Sequence, residues 1–311
     1  MISLSIGIPS YNRPQQLTRL INSILNQKED FEFSIEILIG DDSKINNKFV
    51  VDELMLDLLP NIRIIYEHHI PGKGQNNNVG SLIFKATGKY FCLMHDDDFF
   101  LEGAISKLLN QAIKNQDCIV FGKQVTYNNI YNYTASDKIN SDFKRDGRFT
   151  GKQKDSIAMA MLQQCPNDGY ILLTEHAKAI GSRLEDEIGT ACDFDFALRA
   201  TVEHHLGFYF INEYTTAYNI SDDSVTSSFQ NNAGERKLKI LYEFNTNVTH
   251  PEVFHQVLKT DLSMVISHYI IVKDYTEAKK RLFSINNFFK YLWYKPATYL
   301  QLLKIITNWS L

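Results

Sequence analysis

Short apolar runs alternate with stretches of helical periodicity from Ile2 to Phe121, and this order most restricts what the chain can become. Ile2, Leu4, Ile6 and Ile8 alternate as one face of a strand does, until Pro9 interrupts them. Asn12 and Pro14 suit a helix cap and first turn, and Leu17, Leu20, Ile21, Ile24 and Leu25 follow at helical spacing. Residues 35–39 form a nearly continuous apolar run, as in a strand covered on both faces, which stops at Gly40-Asp41-Asp42. Further strands are expected at residues 62–66, 90–94 and 118–121, with helices over 79–86 and 101–115. Such alternation needs crossover connections. The expected fold class is therefore α/β: a mostly parallel, Rossmann-like sheet flanked by helices.

The pattern then changes. Residues 126–151 are polar and rich in Asn, Tyr and Lys, and read as a long excursion able to fold over a site. Helical signals return at 156–162 and 195–203, and beyond about Glu235 only helices are expected, among them 275–283 and 297–306. The linker-like stretch at 228–235 marks a boundary, giving a first domain over 1–230 and a helical C-terminal region over 231–311.

A chain of 311 residues can bury a sizeable core, and 44% apolar with 22% charged residues is an ordinary globular composition. A net charge of -4 gives no reason to expect a nucleic-acid partner. Cys92, Cys118, Cys165 and Cys192 lack CxxC spacing, which argues against a zinc knuckle and for reduced thiols. The first residues lack a basic segment ahead of their apolar stretch, so no signal peptide is expected, and no run reaches the ~20 apolar residues of a membrane span.

In an open parallel sheet, ligands bind beyond the carboxyl ends of the strands. Acidic groups fall at such ends here: Asp41-Asp42, the triplet Asp96-Asp97-Asp98, and Asp193 with Asp195. A single acidic pair can simply suit a solvated loop or a helix N-terminus. Three adjacent carboxylates repel one another, and a hard divalent cation, Mn²⁺ or Mg²⁺, relieves that repulsion, typically with substrate phosphates completing its shell.

Four segments together resemble glycosyltransferase family 2, the inverting enzymes of the GT-A fold: Ile6 to Arg13, Ile39 to Ser43, Asn78 through Lys89 into His95-Asp96-Asp97-Asp98, and Ala191 to Arg199. The resemblance runs over about residues 1–225. It implies a nucleotide-sugar half over about 1–100 and an acceptor half over about 101–230. Pro9, Ser10, Tyr11 and Arg13 would line the nucleotide, with Asn78 beside it and Asp41 or Asp42 contacting the base. Asp96 would lie near the ribose, Asp97 would be the main metal ligand with help from Asp98, and Asp193 would be the general base. Three positions depart from the pattern. His95 stands where many members carry an acidic residue, and Asn219 and Ser221 stand where Arg and His are frequent, so that either Asp222 or Asp223 substitutes at the metal or that contact is missing.

The implied reaction displaces a nucleoside diphosphate, with UDP the expected nucleotide, and a carboxylate takes the proton of the attacking acceptor hydroxyl. The acceptor class is a saccharide or lipid-linked saccharide, in surface polysaccharide synthesis of the bacterial type, at the cytoplasmic face of a membrane. Asp193 also suits a helix N-terminus without any catalytic role, and Asp195, Glu185, Asp186 and Glu187 are its rivals as base. Lys73, in Pro71-Gly72-Lys73-Gly74, can reach the diphosphate, although the segment lacks P-loop spacing. A sugar nucleotidyltransferase would need a Gly-rich basic loop after the first strand, which is not present. A non-catalytic saccharide-binding protein is the other alternative. From Lys273 onward seven basic residues face only Asp274 and Glu277, interleaved with aromatics, a pattern that suits either a membrane surface or an ordinary solvated helix face.

Overall fold

The computed structural model describes residues 2–27, 33–54, 60–220, 233–283, 292–293 and 295–307. The chain divides into two compact units, Met1–Glu187 with Cys192–Ser221, and Ile188–Ala191 with Asp222–Leu311.

The first unit is a nine-stranded sheet between helices. Strands β1 (Leu4–Ser10), β2 (Ile35–Asp41), β3 (Ile62–His68) and β4 (Tyr90–Leu93) run parallel in the order β3-β2-β1-β4. Helices α1 (Pro14–Leu25), α2 (Lys48–Leu54) and α3 (Gln75–Lys85) make the crossovers. The residues of α1 chosen by periodicity, Leu17, Leu20, Ile21 and Ile24, are fully buried against this sheet. Truncating any of them to Ala costs about 2–5 kcal/mol. Pro14 opens α1, where its missing N–H would have had no partner anyway.

Beyond β4 come β5 (Phe99–Phe100), α4 (Ala104–Lys114), β6 (Cys118–Tyr127), α5 (Tyr133–Asp142), β7 (Gly151–Lys152) and α6 (Ser156–Met161). They are followed by β8 (Tyr170–Leu173), α7 (Thr174–Ile180), α8 (Glu185–Ile188), α9 (Cys192–Val202) and β9 (Gly207–Asn219). The sheet is mixed. β8 inserts antiparallel between β4 and β6, while β6 and β9 are parallel, so two parallel blocks meet at one reversed strand.

The polar segment after β6 is tied down rather than free. Asn140 of α5 donates to the Gln124 carbonyl (2.7 Å) and accepts from the Gln124 N–H (3.2 Å), so its amide satisfies the strand as a neighbouring peptide would. Ser136 accepts from the Thr126 N–H at 2.8 Å. Polarity in this stretch serves helix-to-strand anchoring.

The end of β2 shows how closely α3 approaches. Asn78 donates to the Gly40 carbonyl at 2.7 Å, and a Cβ on Gly40 would lie 2.0 Å from Asn78 Oδ1. Gly40→Ala is expected to lower stability by about 1–3 kcal/mol, read by urea unfolding. An unchanged midpoint would show that Asn78 swings away freely.

The second unit is helical: α10 (Ala233–Glu243), α11 (Thr246–Thr249), α12 (Pro251–Ile271), α13 (Tyr275–Phe283) and α14 (Pro296–Thr307). Leu238, Leu241, Phe254, Leu262 and Ile266 are buried in it, and Lys237 pairs with Asp261 at 2.7 Å inside. No described helix is long and apolar enough to cross a membrane.

Candidate active site

The parallel block delivers the ends of β1, β2 and β4 to one edge of the sheet, and the acidic residues collect there. After β4 the chain turns tightly, the Asp98 N–H donating to the His95 carbonyl (3.2 Å). The Met94 N–H to Gly7 O bond (3.0 Å) holds one side of this turn, and β5, paired with β9, holds the other. Arg19 of α1 donates to the Asp97 carbonyl at 2.6 Å, its guanidinium lying 4.6 Å from the Phe99 ring centroid and 5.1 Å from that of Tyr127. The turn is thus clamped through its backbone.

Each member of the triplet has its own environment. Asp96 is buried and accepts from the Tyr11 N–H (3.0 Å) and Arg13 (3.1 Å). Burial pushes its carboxyl up, against the pull of those donors. Asp97 is the more open, its side chain 18% exposed, and pairs with Arg13 at 2.7 Å. Asp98 is buried and accepts from the Asn219 N–H at 2.7 Å through one oxygen. Its other oxygen has no donor and faces Asp168. Two carboxyls meeting there need a shared proton or a cation between them. Burial, then the charges of Asp168 and Asp97, hold the Asp98 carboxyl well above the usual range.

Donor atoms of His95, Asp97 and Asp98 lie within 4.8 Å of one another. His95 Nε2 is buried without a hydrogen-bond partner, and its Nδ1 meets the Asn167 amide at 3.1 Å. One imidazole nitrogen anchored and the other open, beside two carboxylates, fits a divalent cation such as Mn²⁺. Burial disfavours the His95 imidazolium, yet Asp168, Asp193, Asp97 and Asp96 outweigh it and raise its pKa. The departure at position 95 therefore places a second ligand type, an imidazole, beside the two carboxylates. Asp222 and Asp223 lie outside the described residues.

Asp193 sits in the first turn of α9, its pKa raised by burial and pulled back by His95. Its sequence neighbour Asp195 faces inward, its side chain 1% exposed and paired with Arg183 (2.9 Å) and Arg199 (2.8 Å), so burial keeps it from an acceptor. Glu185, Asp186 and Glu187 are exposed.

The nucleotide residues are spread more widely. Tyr11, with its ring exposed, and Arg13 adjoin Asp96 directly, while Ser10 is buried and Pro9 lies at the end of β1. Asp41 is fully buried, accepting from the Ser43 N–H (2.9 Å), the Asn47 N–H (2.8 Å) and Tyr66 Oη (2.5 Å). Burial works against its charge, but these donors win and lower its pKa. Asp42 instead meets His69 Nδ1 at 2.8 Å and accepts from the Gly74 N–H at 2.9 Å, so it lies against the Lys73 turn. Lys73 itself donates to Ser81 at 3.0 Å, and Asn78 is buried against Gly40.

Asp168, Asn167 and Arg19 are the residues sequence reasoning did not single out. Asp168 is fully buried and accepts from the His95 N–H (3.0 Å) and Gln124 (3.0 Å).

The sheet and its acidic edge define a GT-A-type glycosyltransferase fold. S. aureus TarS in complex with UDP-GlcNAc superposes with a TM-score of 0.60 at 14% identity, over 94% of this chain and 90% of that one. The mannosyltransferase PcManGT from Pyrobaculum calidifontis, in complex with GDP-Man and Mn²⁺, gives 0.59 at 9% identity, over 99% and 88%. Residues 5–165, just over half of the chain, match the Glycosyl transferase family 2 profile, and the chain belongs to that family. The GalNAc(5)-diNAcBac-PP-undecaprenol beta-1,3-glucosyltransferase of Campylobacter jejuni is 36% identical over 116 residues, 36% of this chain and 35% of that protein. Abequosyltransferase RfbV of Salmonella typhimurium is 32% identical over 126 residues, 40% and 36% respectively. The matches thus span little more than a third of these relatives' lengths.

Proposed function

We propose that this chain transfers a sugar, with inversion and with a divalent cation, from a nucleotide diphosphate-sugar to a hydroxyl of a saccharide or lipid-linked saccharide. The observation that carries this is the meeting of His95, Asp97 and Asp98 donor atoms at the carboxyl end of β4. When bound there, Mn²⁺ or Mg²⁺ would supply Lewis acidity toward the departing diphosphate. Arg13, already beside Asp96 and Asp97, adds positive charge on the same side. Tyr11, Asp96 and the Asp42–Gly74 contact form the nucleotide wall. Asp193, held above the ordinary carboxylate range, is the better base for it and takes the acceptor proton.

UDP is the preferred nucleotide and a lipid-linked acceptor the preferred partner, in bacterial surface polysaccharide synthesis at the cytoplasmic face of the membrane. The acceptor named for the Campylobacter relative and the UDP-GlcNAc bound by TarS support both choices. Residues 1–230 would then carry catalysis, with the helices beyond serving the acceptor or the membrane. A panel of nucleotide-sugars with and without Mn²⁺ tests this by thermal unfolding. One donor at about 100 times its Kd should stabilise the protein by about 2.7 kcal/mol only with metal present. If no nucleotide-sugar shifts the transition, the reading fails.

A further inference from the structure

Helix α14 carries more aliphatic surface outward than inward. Its inward side holds Thr298 (0% exposed), Gln301 (5%) and a single aliphatic residue, Ile305 (1%). Thr298 donates to the Leu292 carbonyl at 2.8 Å, and Gln301 donates to the Ser263 carbonyl (2.7 Å) and Ser267 Oγ (2.8 Å) of α12. Its outward side carries Tyr299, Leu300, Leu303 and Ile306, each between 51% and 65% exposed. At about 100° per residue these four fall within an arc of roughly 120°. Aliphatic groups ordinarily face the core, so a helix that buries two hydrogen-bonded polar residues inward and leaves four large apolar ones exposed presents an apolar surface outward.

We propose that this face of α14 docks onto an anionic lipid bilayer surface, lying in the headgroup zone without crossing it. Trp293 is exposed just ahead of the helix, and Tyr299 donates to its carbonyl at 2.6 Å, which places two interfacial aromatics together. Lys295 precedes the helix and Lys304 borders the apolar arc. Lys273, Lys279 and Lys280, exposed at and after the end of α12, add to the same sign. Among the described residues from Lys273 onward, six basic residues stand against Asp274 and Glu277, and Arg281 is further paired with Glu235 at 2.7 Å, which leaves an excess of basic charge. Negative headgroups complement that charge, whereas a second copy would bring lysines against lysines.

The surface deepens the membrane-side acceptor of the proposed reaction but does not depend on it, because vesicle binding needs neither donor nor acceptor. The full chain is sedimented with vesicles of phosphatidylcholine alone and of phosphatidylcholine with phosphatidylglycerol. Binding to the mixed vesicles is expected to exceed that to phosphatidylcholine at least about tenfold and to weaken in high salt. Leu303→Glu and Leu300→Glu, both at exposed positions, should each cut it at least about tenfold with the unfolding midpoint unchanged. Equal or absent binding to the two vesicles, or full binding by the variants, overturns the proposal. A dimer by light scattering that Leu303→Glu converts to monomer also overturns it, assigning the face to a second copy.

Discussion

Asp193→Asn is expected to lower kcat about 10²- to 10⁴-fold while the donor still binds and the protein remains as stable as before. The amide keeps the shape and the polarity that suit the first turn of α9. It removes only the ability to take a proton. Burial already disfavours the charged form of Asp193, so a neutral replacement relieves a cost there and adds none. Asp195, two residues on, cannot serve as a substitute, because it is buried behind Arg183 and Arg199, out of reach of an acceptor hydroxyl. The measurement is release of nucleoside diphosphate under saturating donor and acceptor, with donor affinity taken from thermal shifts. Near-normal turnover would move the base elsewhere. A fall in donor affinity with unchanged kcat would make Asp193 a binding residue.

How much of this could be read before the structure depends on the direction of the strands. β1 to β4 were visible because each is apolar and bounded by turn residues, with α1 and α3 of clear period beside them; the short α2 between β2 and β3 was not foreseen, its seven residues carrying too little period. β8 hid because four buried residues running straight into α7 carry no alternation. Its reversed direction also hid Asp168. An acid is sought at the end of a parallel strand, yet here the start of β8 abuts the end of β4, the Gly169 N–H donating to the Leu93 carbonyl at 2.9 Å. The α5 segment was misleading in another way. Its Asn and Ser residues read as a long excursion able to fold over a site, whereas Ser136 and Asn140 are buried against β6. In the other direction, Asp41-Asp42 looked like one unit, and only coordinates separate a buried anchor from a residue at the Gly74 turn. Arg19 bears no motif at all; it acts through a main-chain carbonyl that no sequence pattern can mark.

Asp97→Ala is expected to abolish metal-dependent stabilisation and lower kcat/KM by about 10³-fold, since Lewis-acid help of several kcal/mol is worth a decade per ~1.4 kcal/mol. The variant should fold, because the turn is held by groups the substitution leaves in place. The Asp98 N–H still reaches the His95 carbonyl, and Arg19 still donates to the carbonyl of residue 97. Arg13 keeps Asp96 as its partner at 3.1 Å. Without metal, removing one of three crowded carboxylates relieves repulsion, so the metal-free protein should unfold at the same temperature or slightly above it. The signature is the difference between two curves. Wild type gains with Mn²⁺ and nucleotide together, whereas Asp97→Ala shows the same transition with and without them. Misfolding would lower both curves, and loss of a ligand erases only their separation. If the Asp97→Ala curves stay apart as in wild type, the cation rests on other side chains, and the His95-Asp97-Asp98 cluster loses its assigned role.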